Sequence, residues 1–426
     1  ISIKIMLRVS PKSHIEGVIE IPPSKSYAQR ALAASFLAKG ISKLINIGDS
    51  SDELAVLSIL KFSGAKIEKF GNITTINSEL IEDKPLTINC GESGLATRLF
   101  TPIFSNYQSE VRIEGIGSLN NRKMTEFDPI FDQLKVSFLS NSDYLPFLVK
   151  GPIQIPEIIY VDGSISSQYI SGLICILSSI DKQSSVLVQL KNPKSKPYIS
   201  MTIEVLRLFG GLVEMNDNQI IIKKNSNLLP TEYFIESDWS SASYWIVAAA
   251  ISGKIELKGL NQYSLQADRQ ILSVLDQFGA KYKIDNESFI IESNKHKPFE
   301  FDATDCPDLF PALVVLASKT IGTSKIHGVD RLFQKESNRA LTLKSEFTKL
   351  GLEINIVDNS MIINGKGSLS GGKINSHHDH RIAMAGAIAS ILANEPIDIE
   401  NSEVVSKSYP KFYEHLESFG VKLTNQ

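Results

Sequence analysis

The chain has 426 residues, of which 42% are hydrophobic, and a net charge of -3 without any long basic tract. Because this length exceeds what one hydrophobic core serves, we expect two or more domains. The charge argues against nucleic-acid or acidic-lipid binding as the main function, so any cationic site must be local.

Three cysteines, Cys90, Cys175 and Cys306, are far apart in the sequence. An odd number at this spacing does not suit a disulfide framework, so we interpret them as small buried residues of a cytoplasmic protein. No apolar run reaches the length of a membrane span, and the first ten residues lack the apolar core of a signal peptide. The sequence therefore predicts a soluble protein.

The first predicted helix opens near Ser26 and runs to Gly40. Its start carries Lys25 and, one turn later, Arg30, although acidic side chains are usual there because a helix N-terminus is partially positive. Two interpretations are open. Either Ser24 or Ser26 caps the helix and Lys25 faces solvent, or an anion completes the helix start.

A regular pattern recurs along the chain after this helix. Six helix ends, each followed by a turn and a strand, lie between 69 and 75 residues apart, at Phe62, Leu134, Phe209, Phe278, Leu350 and Phe419. Six helices rich in Ala, Leu and Ile open in phase with them, near Ser26, Ser93, Ser167, Ser240, Leu309 and His380. Alternating strand pairs follow, as in 281–293 and 353–365, each with a polar turn at its centre. We predict six βαβαββ units that pack around shared cores.

The openings of these helices are rich in hydroxyl groups, glycine and cations, as in GESGLATR at 91–98 and GSISSQY at 163–169. Further cations lie in the predicted loops 331–339 and 405–413. If the buried helices pack side by side, their N-terminal ends point in one direction and their partial positive charges converge. Such a cleft would bind anions, which favours the second interpretation of the first helix.

Simpler interpretations exist for several of these residues. Arg98 and Arg339 could form surface ion pairs, and the serines at 166 and 167 could only cap a helix. The sequence HHDH at 377–380 resembles a metal cluster, but adjacent residues on one turn point in different directions, so we predict no metal site. No P-loop, dinucleotide-binding or Gly-x-Ser-x-Gly motif is present, which argues against ATP, NAD and serine-hydrolase chemistry.

Seven motifs, in this order and across nearly the whole chain, resemble those of the 5-enolpyruvylshikimate-3-phosphate synthase (3-phosphoshikimate 1-carboxyvinyltransferase) family: SKSYAQRAL, VDGSISSQY, SKPYISMTIEVLRLFG, DWSSASYW, QKESNR, DHRIAMA and SKSYPKFYEHL. The resemblance implies an α/β fold, a two-domain inside-out α/β barrel with three βαβαββ repeats per domain. One domain would comprise 22–235, and the other would combine 1–21 with 236–426. The active site would lie in the cleft between the domains.

The family transfers the enolpyruvyl group of phosphoenolpyruvate to the 5-hydroxyl of shikimate 3-phosphate and releases phosphate. The reaction passes through a tetrahedral intermediate, needs no metal or organic cofactor, and belongs to the shikimate pathway to chorismate and aromatic amino acids. Both substrates carry phosphate and carboxylate, which the predicted cleft of cations, hydroxyls and helix N-termini suits. The resemblance thus implies a cytoplasmic monomer that binds these two small molecules and neither nucleic acid nor membrane.

The resemblance also assigns individual residues. Shikimate 3-phosphate would be bound by Lys25, Ser26, Arg30, Ser166, Ser167, Gln168, Ser195, Tyr198, Asp308, Arg331 and Lys335. Phosphoenolpyruvate would be bound by Lys25, Gly94, Arg122, Gln168, Arg339, Arg381 and Lys407. Asp308 matches the base for the 5-hydroxyl, and Glu336 and Lys25 are the candidates for proton delivery to the methylene carbon. Arg98 and His380 would be neighbours of the site.

The match departs from the family pattern at three places. Residues 92–95 read Glu-Ser-Gly-Leu where the family commonly has Asn-Ala-Gly-Thr, so Glu92 adds a negative charge beside an anion site. The family arginine of an Arg-Pro-Met context is assigned to Arg122, where the following spacing differs. Arg331 stands in place of an asparagine, and it either adds a contact to the substrate phosphate or replaces one.

Two other functions stay open as alternatives. UDP-N-acetylglucosamine 1-carboxyvinyltransferases share the fold and the phosphoenolpyruvate half-reaction, but they typically open with Ala-Lys-Asn and carry a reactive Cys in a mobile loop, where this chain has NNRKMTE. A non-catalytic anion-binding repeat protein would keep the cations of the cleft. The joint presence of Asp308, Lys335 and Glu336 argues for catalysis instead.

Overall fold

The computed structural model describes residues 6–79, 81–285 and 288–426. The strands in these ranges are β1 (Met6–Val9), β2 (Ile15–Glu20), β3 (Ile41–Ile45), β4 (Lys66–Phe70), β5 (Ile73–Asn77), β6 (Leu86–Asn89), β7 (Val111–Glu114), β8 (Ser137–Asn141), β9 (Tyr144–Lys150), β10 (Ile158–Asp162), β11 (Val186–Lys191), β12 (Val213–Asn216), β13 (Gln219–Ile222), β14 (Glu232–Phe234), β15 (Gly253–Lys258), β16 (Lys281–Ile284), β17 (Ser288–Glu292), β18 (Glu300–Asp302), β19 (Ile321–His327), β20 (Glu353–Val357), β21 (Ser360–Lys366), β22 (Gly372–Asn375), β23 (Ile397–Glu400) and β24 (Leu423–Asn425).

The α-helices of the same ranges are α1 (Lys25–Leu37), α2 (Ser51–Phe62), α3 (Gly94–Phe104), α4 (Phe127–Leu134), α5 (Ser167–Ser179), α6 (Lys196–Leu208), α7 (Trp239–Ser252), α8 (Ile271–Phe278), α9 (Phe310–Lys319), α10 (Arg339–Lys349), α11 (His380–Ala389) and α12 (Phe412–Ser418). The longest of them, α7, has 14 residues. No helix in the described part of the chain combines the length and the apolar character needed to cross a membrane.

The described chain divides into two compact units. The continuous unit is Pro23–Glu236, and the discontinuous unit consists of the described residues up to Pro22 together with Ser237–Gln426. Residues 1–5 of the predicted discontinuous domain, and the predicted turn at 286–287, lie outside the described residues.

Each unit contains three four-stranded sheets. Their strand orders are β14-β3-β5-β4, β6-β7-β9-β8 and β10-β11-β13-β12 in the continuous unit, and β16-β17-β15-β2, β18-β19-β21-β20 and β22-β23-β1-β24 in the discontinuous unit. Each sheet has one parallel pair of neighbouring strands, which lies at one end of the strand order. The other two pairs of neighbouring strands in each sheet are antiparallel. The predicted α/β architecture of six related units is therefore confirmed.

Three of the sheets take one strand from a distant part of the chain, which the repeat pattern did not predict. β2 pairs in parallel with β15, β14 pairs in parallel with β3, and β1 lies between β23 and β24. These three sheets are therefore completed by a strand that the spacing of the helix ends does not locate. Pairing depends on which face of a strand is buried, and β1 and β2 bury alternate residues wherever they stand in the chain.

One helix of each repeat is buried on nearly all sides: α1, α3 and α5 in the continuous unit, and α7, α9 and α11 in the other. All six begin within one residue of the predicted openings. Within each unit these helices pack against one another. The ring of Phe36 in α1, for example, lies 6.2 Å from that of Phe100 and 5.8 Å from that of Phe104, both in α3. Each buried aromatic side chain contributes about 1.5–3 kcal/mol, which fixes the helix starts relative to one another.

Cys90, Cys175 and Cys306 are unpaired and buried, as the spacing predicts. Burial raises the pKa of Cys90 and of Cys175 to about 12, so both thiols stay neutral at physiological pH. These cysteines therefore pack as small apolar groups.

Candidate active site

In the continuous unit the first turns of α1, α3 and α5 lie beside one another. The hydroxyl of Ser93, which caps α3, donates to Oε1 of Gln29 in α1 over 3.2 Å. Nη1 of Arg98 in α3 donates to Oε1 of Gln168 in α5 over 3.1 Å. Because these contacts join N-terminal turns, the partial positive ends of three buried helices meet at one place and favour an anion there.

Lys25 at the start of α1 is paired rather than exposed. Ser24 caps the helix and accepts a hydrogen bond from the N–H of Tyr27 over 3.5 Å. Nζ of Lys25 lies 2.8 Å from Oδ2 of Asp52, and only 16% of the lysine side chain is exposed. The interpretation in which Lys25 faces solvent is therefore wrong. The sequence did not point to Asp52, because an acid in the first turn of α2 has an ordinary local explanation.

Arg30 is a buried cation with 1% of its surface exposed. Its guanidinium donates to three neutral acceptors: Oγ1 of Thr202 at 2.8 Å and the carbonyls of Ser26 at 2.8 Å and Tyr198 at 3.3 Å. Among the described residues no carboxylate forms an ion pair with it, and burial lowers its pKa. A buried charge without an opposite charge is unfavourable, so an anionic ligand would stabilise this position.

Gly94, the first residue of α3, lies against two arginines. A methyl group added at Gly94 would be 2.8 Å from Nη1 of Arg98 and 3.1 Å from Nη1 of Arg122. Arg98 also lies over the ring of Tyr169, 4.9 Å from its centroid, so the interpretation of Arg98 as a surface ion pair is wrong. The absence of a side chain at Gly94 leaves room for a ligand between backbone and guanidinium groups.

Glu92 carries the negative charge that departs from the family pattern. Its Oε2 accepts from the hydroxyl of Ser118 over 3.0 Å, and that hydroxyl accepts from Nη2 of Arg122 over 3.2 Å. Gly117 has φ of 57°, and a side chain there would meet Glu92 within 2.4 Å. The carboxylate of Glu92 is thus linked to Arg122 through the hydroxyl group of Ser118.

The serines assigned to the substrate phosphate differ in their local roles. The hydroxyl of Ser166 caps α5 and accepts from the N–H of Gln168 over 3.2 Å. Ser167 is buried in the first turn of that helix. Ser195 precedes α6 with φ of 54° and does not cap it with its side chain. This left-handed conformation is unfavourable for serine, and its presence at a helix start is typical of a functional position.

In the discontinuous unit Asp308 is surrounded by three cations. Its Oδ1 accepts from Nζ of Lys335 at 3.2 Å and Nη1 of Arg339 at 2.9 Å, and its Oδ2 accepts from Nη2 of Arg381 at 3.1 Å. Burial alone would raise the pKa of Asp308, but Arg381, Lys335 and Arg339 outweigh it and hold the pKa well below its usual range. The carboxylate is therefore ionised, and it becomes a stronger base only when an anion draws these cations away.

Arg339, the first residue of α10, is wholly buried and contacts three carboxylates. It donates to both oxygens of Asp379, with Nε–Oδ2 of 2.9 Å and Nη2–Oδ1 of 3.1 Å, and also to Asp308 and Glu336. Burial lowers the pKa of Arg339, but Asp379, Glu336 and Asp308 together raise it above the usual range. The alternative of a surface ion pair is wrong for this residue as well.

Asp379 was not predicted as a site residue. It caps α11, where its Oδ1 accepts from the N–H of Arg381 over 3.0 Å, and its carboxylate fixes Arg339. A usable signal was its place directly before the predicted helix opening at His380, which is where a capping acid is expected.

The histidines of the HHDH stretch do not converge. Nε2 of His377 lies 3.0 Å from Oε1 of Glu346, while His380 is buried in the first turn of α11. His377 and His378 both adopt left-handed backbone conformations, with φ of 52° and 56°. Within the ranges that the structure describes, no group of three or more His, Cys, Asp or Glu could hold a metal ion.

Two further assigned residues, Lys335 and Lys407, belong to the same unit. Burial lowers the pKa of Lys335; Asp308 opposes this, whereas Arg339 and Arg331 add to it. A lysine with a lowered pKa gives up its proton more readily than a free one. Lys407 is buried at the end of the 3-10 helix Ser402–Lys407, which packs against α11.

The assigned residues thus form two groups. The continuous-unit cluster consists of Lys25, Ser26, Arg30, Gly94, Arg98, Arg122, Ser166, Ser167, Gln168, Ser195 and Tyr198, at or near the openings of buried helices. The discontinuous-unit cluster consists of the assigned residues Asp308, Arg331, Lys335, Glu336, Arg339, Arg381 and Lys407, together with Asp379. The first cluster offers cations and hydroxyl groups, and the second offers cations together with carboxylates able to exchange protons.

Comparison with known proteins gives consistent results. The family model for EPSP synthase (3-phosphoshikimate 1-carboxyvinyltransferase) matches residues 9–416. The chain is 35% identical over 419 residues to the 3-phosphoshikimate 1-carboxyvinyltransferase of Clostridium novyi (strain NT), covering 96% of each chain. It is 36% identical over 409 residues to the protein of that name from Clostridium kluyveri, covering 95% of each.

A solved structure supports the fold. The EPSP synthase from Acinetobacter baumannii superposes with a TM-score of 0.83, at 24% sequence identity, over 99% of this chain and 100% of that chain. At this identity the likeness concerns the fold alone.

Proposed function

The chain belongs to the EPSP synthase family, and from this premise we propose that the two clusters described above carry the family's reaction. The chain is a transferase that moves the enolpyruvyl group of phosphoenolpyruvate to shikimate 3-phosphate, in the pathway to aromatic amino acids. The observation that supports the residue assignment most strongly is the contact of the ionised Asp308 carboxylate with three cations. Anionic substrates can bind these same cations.

Shikimate 3-phosphate is assigned to Arg30 and the surrounding hydroxyl groups. Its carboxylate would supply the opposite charge that buried Arg30 does not find among the described carboxylates. Its phosphate and ring are assigned to Lys25, Ser26, Ser166, Ser167, Gln168, Ser195, Tyr198, Arg331 and Lys335.

Phosphoenolpyruvate is assigned to the remaining cations, namely Lys25, Arg122, Arg339, Arg381 and Lys407, with Gly94 and Gln168. Arg381 suits this role because its two terminal nitrogens contact Asp308 and the hydroxyl of Ser240, which an anion can replace as acceptors. Arg339 is more firmly held, since Asp379 binds it through two hydrogen bonds.

In the proposed mechanism Asp308 takes the proton of the 5-hydroxyl as that oxygen attacks C2 of phosphoenolpyruvate. Binding of the substrate anion to Arg381 weakens the hold on Asp308, which raises its pKa and makes it a better base. Glu336 or Lys25 delivers a proton to the methylene carbon, which gives the tetrahedral intermediate. The group that delivered this proton then takes one back from the new methyl group as the C2–O bond to phosphate breaks, which restores the double bond. The departing phosphate accepts the proton that Asp308 took from the 5-hydroxyl.

We also propose that the protein acts in the cytoplasm as a monomer and without a metal or organic cofactor. The curated relatives are bacterial enzymes named for a reaction of small phosphorylated metabolites, which supports the compartment. Proton transfer and departure of phosphate can be served by the acids and cations named above.

The test is release of inorganic phosphate from phosphoenolpyruvate with each acceptor in turn. Release is expected with shikimate 3-phosphate and not with UDP-N-acetylglucosamine. Release with the sugar nucleotide alone would overturn the proposed function in favour of the related transferase. Binding of both substrates without any release would favour the non-catalytic anion-binding alternative.

Replacement of Gly94 by alanine is expected to weaken the binding of glyphosate more than the binding of phosphoenolpyruvate. Glyphosate is an anion that this family binds in the phosphoenolpyruvate pocket. The added methyl group would lie 2.8 Å from Nη1 of Arg98 and 3.1 Å from Nη1 of Arg122, so the guanidinium groups must shift. We expect Ki for glyphosate to rise about tenfold or more, and KM for phosphoenolpyruvate to rise less, because the longer ligand has less room to adjust.

The measurement is a pair of inhibition curves with phosphoenolpyruvate varied and shikimate 3-phosphate saturating. Glu68→Ala is a suitable control, because Glu68 is an exposed residue of β4 in the same unit. Equal losses for both ligands, or inhibition that is not competitive, would show that Gly94 does not line the pocket.

A further inference from the structure

Asp268 is a buried acid that the mechanism above does not use. It lies in the 3-10 helix Ala267–Gln270 of the discontinuous unit and is 2% exposed. Among the described residues its Oδ1 finds no hydrogen-bond partner. A carboxylate in such surroundings is unfavourable when ionised, so this oxygen favours the protonated form of the group.

The segment around Asp268 is fixed from two sides. Oε1 of Gln266 accepts from the N–H of Trp239 over 3.0 Å, which ties the segment to the start of α7. On the other side the thiol of Cys306 lies 3.8 Å from Oε1 of Gln270, which ties the segment to the turn that leads into Asp308. Asp268 therefore lies between two residues that are each attached to a neighbouring part of the same unit.

The charged and polar groups that act on Asp268 are Asp308 and Arg381 of the discontinuous-unit cluster, together with Asp238 and Ser240. Burial raises its pKa to about 7; the charges of Asp308 and Asp238 add to this, and Arg381 and the Ser240 hydroxyl oppose it. Ser240 in turn accepts from Nη1 of Arg381 over 2.6 Å. Arg381 thus acts on two carboxyl groups whose environments differ: Asp308, whose pKa is held low, and Asp268, whose pKa is raised.

We propose that Asp268 is a positioning residue that takes up one proton from solvent when phosphoenolpyruvate binds. This proposal rests on the proposed function, in which the anionic substrate phosphoenolpyruvate binds Arg381. Once Arg381 turns from Asp308 and Ser240 to the substrate, the Ser240 hydroxyl alone among the groups named above still offsets a negative charge on Asp268 beside Asp308. Protonation of Asp268 removes that charge, so the cation is free to bind the substrate while Asp308 alone acts as the base.

The proposal is tested by the pH dependence of KM for phosphoenolpyruvate in the whole enzyme. The variant Asp268→Asn keeps the shape of the protonated acid, and the ratio of the two KM values cancels the titration of the substrate itself. Near pH 6 the two enzymes should have similar KM values, and near pH 8 the wild type should have a KM about tenfold higher than the variant. The values of kcat should differ by less than about threefold, because Asp268 does not touch the reacting atoms.

Asp276→Asn is the matched control, because Asp276 is an exposed acid of the same unit whose Oδ1 accepts from Tyr282. This variant should follow the wild type at every pH. A KM profile of Asp268→Asn that rises with pH in parallel with the wild type would overturn the proposal and leave the proposed function intact. Absence of any turnover of phosphoenolpyruvate by the wild type would overturn the proposed function, and this inference with it.

The melting temperature provides a second readout. Because burial raises the pKa of Asp268 above that of an unfolded chain, its contribution to stability is present at low pH and is lost as the pH rises through about 7. Asp268→Asn should therefore gain in Tm relative to the wild type between pH 6 and pH 8. Equal Tm differences at both pH values would contradict the buried charge that the proposal needs. If the asparagine variant does not fold, Asp268→Ser, which is neutral and smaller, serves for both measurements.

Discussion

Replacement of Asp308 by alanine is expected to lower kcat by about a hundredfold or more and to change KM for phosphoenolpyruvate by less than about tenfold. The carboxylate is the assigned base, so its loss removes the proton acceptor. Its removal also leaves Lys335, Arg339 and Arg381 without a shared anion, and these cations still attract the substrate. Steady-state phosphate release at saturating shikimate 3-phosphate measures both constants.

Asp302→Ala serves as the control, because this exposed acid ends β18 and its Oδ1 accepts only from the N–H of Thr304 in the hydrogen bonds of the described chain. It should leave both constants within about threefold of the wild type. If Asp308→Ala barely alters kcat while KM rises by far more than tenfold, Asp308 is a binding residue and another group is the base.

Arg339→Gln is expected to lower the free energy of unfolding by about 3–5 kcal/mol, the usual effect of removing one partner from a buried ion pair. The substitution leaves Asp379, Glu336 and Asp308 without the guanidinium that contacts all three. Urea denaturation at neutral pH, followed by circular dichroism, measures the loss. Turnover should fall as well, because Asp379 also caps α11 and thereby positions Arg381.

Arg8→Gln provides the comparison for this stability effect. Arg8 also binds a carboxylate through two hydrogen bonds, of 2.7 and 2.8 Å to Asp398, but 44% of its side chain is exposed. Its replacement should change the free energy of unfolding far less than that of Arg339 does. Similar losses for the two variants would mean that burial does not govern the contribution of Arg339.

The features that sequence reasoning predicted are those with local signals. The openings of α1, α3 and α11 were predicted because a capping residue and an apolar run lie within a few positions of each other. The family resemblance assigned Asp308 and Arg339 to the site, since both stand in short segments with a fixed pattern. Their catalytic roles stay predictions until the variants are measured.

The features that were missed depend on contacts between distant parts of the chain. Nothing near β2 in the sequence indicates that its parallel partner is β15. Asp52 and Asp268 look like ordinary surface acids of helical segments, and only packing shows that the first pairs with Lys25 and the second is buried. A local pattern cannot reveal burial that a remote segment creates.

The position of β1 between β23 and β24 has a consequence for the newly made polypeptide. Arg8 and Asp398, which face each other across this pairing, are 390 positions apart. All strands of the continuous unit lie between Pro23 and Glu236, so this unit can reach its native topology while the ribosome is still adding the later residues. β1 and β2, with apolar residues such as Leu7 and Ile15, must meanwhile wait for partners that are not yet made. This order of synthesis allows a stage in which the continuous unit is folded while β1 and β2 are still unpaired, and exposed apolar strands of that kind are what chaperones bind.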